Sequence, residues 1–326
     1  MLEIRPATTD DDLARVARIV SAVQPDSPTT VEDMRYHDAH YPGGRRFVAW
    51  LDGEPVGAGG AGRVYIYPPE FEGLWGNLSV LESHRGRGVG TALLAAVSDH
   101  ARSEGKTKLM GRTTADRPAT IAFLERRGFE ERERMKAVQL DLAGLDLPPA
   151  RTPPGITLTS LEARPDLVPG VHQVAREALP DIPGDGPIAP LSLEEFRIRD
   201  VDHPNVPHGA FAVALDEASG RVVGYANLIL VPGRPTVAWH GMTAVARAWR
   251  GRGLASALKR ATIAWAGEHG LEALETTNDV DNAPMRAVNA RLGYRPLPDE
   301  IIFLGPLAPP RSGADEAGRH PAEAKA

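Results

Sequence analysis

The chain of 326 residues contains no cysteine. That excludes disulfides, thiolate nucleophiles, iron–sulfur clusters and thiolate zinc sites, and it suits a reducing compartment. No metal site is expected. Lysine is scarce as well: of 37 basic residues only five are Lys, and the net charge is -6. Nucleic-acid binding usually shows as a basic domain, so no such partner is expected. The chain has no apolar run of about 18 residues, the length a membrane helix needs, so no membrane association is expected. Its start, MLEIRPATTDDD, is acidic and lacks the apolar core of a signal peptide. The expectation is a cytoplasmic protein, monomeric or homodimeric.

What is present fits a globular protein with a real core: 42% hydrophobic and 25% charged residues. At roughly one domain per 150 residues, the length allows two. A shift of 165 residues aligns the middle of each half without a gap, placing Val80 on Val245, Arg85 on Arg250, Gly88 on Gly253, Gly105 on Gly270 and Gly128 on Gly293. The chain therefore reads as two copies of one domain, residues 1–145 and 156–308. Between them lies DLPPARTPPG (146–155), Pro-rich and without hydrophobic periodicity, which reads as a linker. The polar, low-complexity tail 309–326 is expected to be disordered.

Each copy runs strand, one or two helices, hairpin strands, a strand ending at an Arg-Gly turn, helix, strand, helix and final strand. That order predicts an α/β fold of the α+β kind, a mixed and mostly antiparallel sheet flanked by helices. The two turns are HRGRGVGTALLAA, from His84 to Ala96, and WRGRGLASALKRA, from Trp249 to Ala261. In the second copy a helix is predicted from Leu254 to about Glu268, with Leu254, Leu258, Ala261 and Trp265 on its buried face.

A glycine-rich strand-to-helix turn aims unpaired backbone amides at one point, where the helix dipole favours negative charge. Glycine lets the backbone approach a bulky anion, and arginine suits phosphate oxygens. The turn thus reads as a diphosphate cradle. A dinucleotide turn of the G-x-G-x-x-G kind, an RNA-binding Arg-Gly segment and a plain capped turn share part of this physics. The first lacks a βαβ unit, the second is usually long and disordered, and the third does not account for two copies in register.

Arg85-Gly86-Arg87-Gly88-Val89-Gly90 and Arg250-Gly251-Arg252-Gly253-Leu254-Ala255, each after a strand and opening a helix, resemble the coenzyme A signature of the GCN5-related N-acetyltransferases. That family's second signature, an Asn opening a helix that ends in Gly-aromatic, stands as Asn282 through Gly293-Tyr294; the first copy keeps Gly128-Phe129 but has Arg117 for the Asn. The resemblance covers nearly the whole chain outside linker and tail, and a tandem of two such domains is the layout of the mycothiol synthases. It implies acetyl-CoA as co-substrate and direct transfer of the acetyl group, in a ternary complex, to a primary amine of a small molecule. A non-catalytic acyl-CoA-binding protein and a peptide or protein N-acetyltransferase are the alternatives.

By the family's pattern, backbone groups of Ala244 and Val245 would hold the pantetheine and polarise the thioester carbonyl. The amides from Arg250 to Ala255 would hold the pyrophosphate, and Asn282 would bond the pantetheine arm. Val80, Arg85, Gly86, Arg87, Gly88, Val89 and Gly90 form a second candidate coenzyme A site. Two side chains frequent in the family are missing. The glutamate base is replaced by Trp239, or by Leu74 in the first copy, and the tyrosine acid by Asn289, or by Leu124. Nearby polar groups are His240 and Thr243, and in the first copy Glu72 and Asn77. His240 has a suitable intrinsic pKa, but strand alternation turns it away from 239 and 241 unless a bulge re-aims it. His240 and Asn289 are the catalytic candidates, with Tyr294 read as a core aromatic. The complete second signature makes the C-terminal copy the expected enzyme and the N-terminal copy a degenerate partner. For the acceptor, Asp181, Asp185, Glu194, Glu195, His203 and His208 are candidate lining residues that would suit a cationic amine.

Overall fold

A computed structural model describes residues 1–64, 66–146, 151–182 and 191–310. Residues 147–150 of the linker, Asp185 and nearly all of the tail lie outside these. The first copy comprises β1 (Leu2–Pro6), α1 (Asp10–Val23), α2 (Val31–His40), β2 (Arg45–Leu51), β3 (Glu54–Arg63), β4 (Gly73–Val80), α3 (Val89–Ser103), β5 (Lys108–Thr114), α4 (Pro118–Glu125) and β6 (Glu130–Asp141). The second comprises β7 (Ile156–Ser160), α5 (Val168–Ala178), α6 (Leu193–Phe196), β8 (Ala212–Asp216), β9 (Val222–Leu230), β10 (Val237–Val245), α7 (Leu254–Glu268), β11 (Ala273–Asp279), α8 (Ala283–Arg291), β12 (Arg295–Pro296) and β13 (Glu300–Pro306). The fold is the mixed α/β arrangement the element order predicts. β4–β5 and β10–β11 pair parallel and the other ladders are antiparallel.

Among the described residues the strands form one sheet, in the order β1-β2-β3-β4-β5-β13-β6-β11-β10-β9-β8-β7, with β12 on β6. The two copies exchange their last strands. β6 leaves the first copy to pair with β11, from Ala273↔Asp141 to Asp279↔Met135. β13 returns to pair with β5, from Glu300↔Thr114 to Pro306↔Lys108, and also lies against β6. Each parallel pair is thus closed by a strand of the other copy. Ile301 and Phe303 on β13 bury into the first copy's core with Leu93, Val97 and Phe129.

Helices cover both faces of the sheet. In the second copy α5 buries Val171, Val174 and Ala175 against Phe196, Phe211, Tyr225 and Ala244 on one face. On the opposite face α7 and α8 share a core of Ile263, Ala266, Leu292 and Tyr294 with Leu228 and Ala238 of the sheet. The buried stripe of α7 is rotated from the predicted one. Leu254 and Leu258 are in it, Ala261 and Trp265 are only half-buried, and Ala257, Lys259, Thr262, Ile263 and Ala266 complete it. Periodicity weighs a lysine as a surface residue, so Lys259 is invisible to it.

Candidate active site

Where β10 ends at Val245, a short turn leads through Gly251 (φ 74°) and Gly253 (φ 84°) into α7. The first backbone amide to bond back is Ala257, to the Gly253 carbonyl at 3.1 Å. The amides from Gly251 to Ser256 have no acceptor among the described residues and crowd at the positive end of a 15-residue helix. The first copy repeats this with Gly86 (φ 75°), Gly88 (φ 81°) and Ala92 bonding to Gly88 at 3.0 Å. Arg250 Nε donates to the Val245 carbonyl at 3.0 Å and Arg85 Nε to that of Val80 at 3.2 Å, so both arginines brace the strand end. In the second copy Asp181 bridges Arg247 (2.8 Å) and Arg250 (2.7 Å), and these hydrogen bonds hold its carboxyl at about 2.

Beside this turn the sheet opens. β10 and β11 pair only from Val237↔Ala273 to Trp239↔Glu275 and then part, as β4 and β5 do beyond Trp75↔Met110. Past that point the two copies differ. β10 carries a bulge between His240, opposite Leu228, and Thr243, opposite Ala226. β4 runs against β3 without a break from Leu74↔Arg63 to Val80↔Gly57. The bulge is one extra residue, so Trp239 matches Trp75 rather than Leu74, the partner a gapless alignment assigns. A bulge turns backbone groups out of the ladder at the point where the strands separate. A Cβ at Gly241 would displace the Asn227 side chain, whose Oδ1 would lie 2.5 Å from it.

A polar clamp holds the bulge. His240 Nδ1 accepts from Tyr294 Oη or donates to it at 2.7 Å, His240 Nε2 meets Thr262 Oγ1 at 3.1 Å, and Thr276 Oγ1 donates to the His240 carbonyl at 2.9 Å. In the first copy the matching positions are Gly76, Phe129, Val97 and Gly111, and no such clamp can form. Three buried side-chain polar atoms without a partner among the described residues also flank the second opening: Asn227 Oδ1, Thr243 Oγ1 and Asn289 Oδ1. Their first-copy counterparts are Gly60, Leu78 and Leu124. A buried polar atom left unpaired costs about 1–3 kcal/mol, so three around one opening mark a place where a polar ligand belongs. An arm bearing amide groups and ending in a diphosphate fits the cradle and these atoms together.

The sequence profile of the family described as "Acetyltransferase (GNAT) family" matches twice, over residues 13–129 and 172–294. The chain belongs to the GNAT acetyltransferase family. A mycothiol acetyltransferase of Amycolatopsis mediterranei is 26% identical over 304 residues, 90% of this chain and 95% of its own length. One from Pseudarthrobacter chlorophenolicus is 27% identical over 252 residues, 75% of this chain and 73% of its own. Among solved structures, a tandem GNAT protein from the clavulanic acid biosynthesis pathway superposes with a TM-score of 0.75 at 23% identity, over 95% of this chain and all of that one. A GCN5-related N-acetyltransferase of Sphaerobacter thermophilus gives 0.71 at 19% identity, over 95% and 97% of the two chains. This GNAT chain is an N-acetyltransferase in tandem form, and the family draws its acetyl group from acetyl-CoA.

Two of the side chains proposed from sequence for catalysis are placed differently. His240 is 0% exposed, and both its ring nitrogens are occupied within the core. The bulge exists but starts after His240, so it re-aims Gly241 and Met242 and leaves the imidazole inside. Burial, with a smaller contribution from the Lys259 charge, pushes the His240 pKa well below the usual imidazole range. A group so enclosed cannot take a proton from an amine, and we assign His240 to the clamp. Its neutral state has a measurable consequence. Below pH 6.5 the unfolded chain binds a proton that the folded chain refuses, so stability falls as pH drops, by up to ~1.4 kcal/mol per pH unit. Thermal melts between pH 7 and 5 should show this slope, and His240→Gln, destabilised throughout, should show a shallower one.

Asn289 is buried, its Nδ2 donating to Asn278 Oδ1 at 2.6 Å. That leaves its free Oδ1 as an acceptor, and an amide has no proton to give. Asn282 caps α8 by accepting from Met285 N at 3.3 Å, whereas Arg117 at the matching place sends Nη1 to the Val23 carbonyl at 3.3 Å. The acidic lining expected for the acceptor is not assembled among the described residues. Asp181 belongs to the cradle, Glu195 caps its own helix through Ser192, and Glu194 is exposed. His203 packs edge-on against Tyr36 of the first copy at 4.6 Å, and His208 bonds the Val201 carbonyl at 3.1 Å. Sequence reasoning missed Asn227 and Lys259. For Lys259 a signal exists: it stands where the repeat has Leu94, inside a buried helical stripe.

Proposed function

We propose that the C-terminal copy transfers the acetyl group of acetyl-CoA to a primary amine of a small molecule, and that the N-terminal copy is chiefly a structural partner. The observation that carries this reading is the contrast at the two openings. The second has a bulge, a polar clamp and three unpaired buried acceptors, whereas the first has an unbroken strand lined by Leu78, Leu124 and Phe129. In this reading Gly251 to Ala255 hold the diphosphate through their amides. Ala244, Val245 and the bulge orient the pantetheine and the thioester carbonyl, and Thr243 and Asn289 bond the arm. The amine must arrive neutral, since an ordinary alkylammonium has a pKa of about 10.4. Trp239 stands where a family glutamate would assist. Its neighbour Glu275 is engaged by Arg234 at 2.6 and 3.0 Å, so we assign it no base role. The curated relatives, whose names place them with mycothiol, support a small-molecule acceptor.

Release of free thiol from acetyl-CoA, followed across a panel of small amines and peptides, tests the proposal. Thiol release with a small amine and none with peptides is the expected result. Binding of acetyl-CoA without release for any amine would make the chain an acyl-CoA-binding protein instead.

A further inference from the structure

Lys259 lies on α7 with 2% of its surface exposed, and its ammonium has no hydrogen-bond or ion-pair partner among the described residues. Its ammonium lies 5.2 Å from the centroid of the Tyr294 ring. An unpaired ammonium is among the most costly groups to bury, and the first copy has Leu94 at this position, so the fold does not require it.

Its height along the sheet can be read from its neighbours. Leu258 abuts Gly224, the partner of Val245 at the open end of β10. Thr262 touches His240, where β10 and β11 begin to part. Lys259 lies between these levels, on the face that α7 shares with α8. Unpaired Thr243 Oγ1 comes after the bulge on β10, and unpaired Asn289 Oδ1 belongs to α8, whose last turn leads to Tyr294. The titratable groups facing Lys259 are His240 from β10 and Tyr294 after α8; β11 offers Thr276 and Asn278, and α8 offers Asn289. No carboxylate among the described residues compensates the ammonium.

We infer that Lys259 delivers its proton to the sulfur that departs when the second copy transfers its acetyl group. This rests on the reading of that copy as the enzyme. The amine lone pair forms the N–C bond, the C–S bond breaks, and its electron pair goes to sulfur, which takes the proton from Nζ. The amine's surplus proton passes to solvent, from which Lys259 is later reprotonated. Burial pulls the Lys259 ammonium down to about 7, so it is charged in a fair fraction of the enzyme near neutrality and gives up its proton to an adjacent thiolate far more readily than an ordinary lysine would. Asn289, at the place of the family's tyrosine, would then orient the arm while the proton comes from the opposite helix.

Lys259→Met and Lys259→Arg in the full chain test this. Methionine should fold, since it removes a buried charge and keeps the volume. Expected for Lys259→Met is a kcat lower by about 100-fold with KM for acetyl-CoA within about twofold. The fall of kcat on the alkaline side, set by Lys259, should vanish with it. Lys259→Arg should be equally slow, because a guanidinium does not release its proton. A readout independent of turnover is the thiolate absorbance of bound coenzyme A followed against pH; its midpoint should lie lower in the parent than in Lys259→Met. The inference is overturned if Lys259→Arg restores kcat, if Lys259→Met keeps it, or if the bound thiol titrates alike in both. Should the parent acetylate no amine, the functional reading fails, and the thiol titration still decides whether Lys259 meets the sulfur.

Discussion

Gly253→Asp is expected to lower turnover by at least about 100-fold and to remove coenzyme A binding at the second cradle, while Gly88→Asp leaves kcat within about twofold. The two substitutions are matched controls. Both glycines are left-handed N-caps, at φ 84° and 81°, and at neither does a Cβ meet another atom. The backbone strain is therefore similar, about 1–2 kcal/mol for a side chain in that region. The difference lies in the consequence of setting a carboxylate among the free amides. At Gly253 it competes with the diphosphate of the reacting donor; at Gly88 it faces an opening lined by leucines. Turnover of the two variants, compared with their melting temperatures, checks this. Equal loss from both would end the assignment of catalysis to the C-terminal copy.

Deleting β13 by ending the chain at Leu297 should abolish cooperative folding of the first copy, although β13 reaches that copy across a long stretch of chain. Arg112 on β5 and Glu300 on β13 hydrogen-bond while 188 positions apart. β13 fills the gap between β5 and β6, and Phe303 and Ile301 are each 2% exposed there. Losing the burial of these two side chains alone costs about 3–6 kcal/mol, a large part of a typical domain's 5–15 kcal/mol, and leaves two bare strand edges. Cutting the chain between Asp146 and Arg151 should do much less. Each fragment then ends in a strand held by the other, so a one-to-one complex should survive and keep its activity. Size-exclusion chromatography and thermal melts read both outcomes. Fragments that separate without denaturant would contradict the exchange.

The Arg-Gly turns are legible in the sequence because their geometry is local: glycines that accept positive φ, arginines beside them, and a helix start within a few residues. The same holds for Asn282 at the start of α8, a short-range cap. His240 is misjudged from sequence because its role is set from three distant elements, by Tyr294, Thr262 and Thr276. A gapless repeat hides the extra residue in β10, since the bulge shows only in the pairing of β10 with β9. Periodicity sets Lys259 aside by residue type, although its repeat partner Leu94 points inward.

By itself the sequence determined the family, the mixed α/β class, the duplication and the two Arg-Gly turns that open helices. Those arise from spacing and backbone preference over a few residues, repeated in register. Only the tertiary structure decided that the copies trade their last strands, that one opening is bulged and polar and the other straight and apolar, and that a lysine sits unpaired beside the first of these. The physical reason is that strand partnership and burial are non-local. They depend on which surfaces meet across distant parts of the chain, and side-chain type alone does not say whether a polar group will be paired, clamped or left facing a ligand.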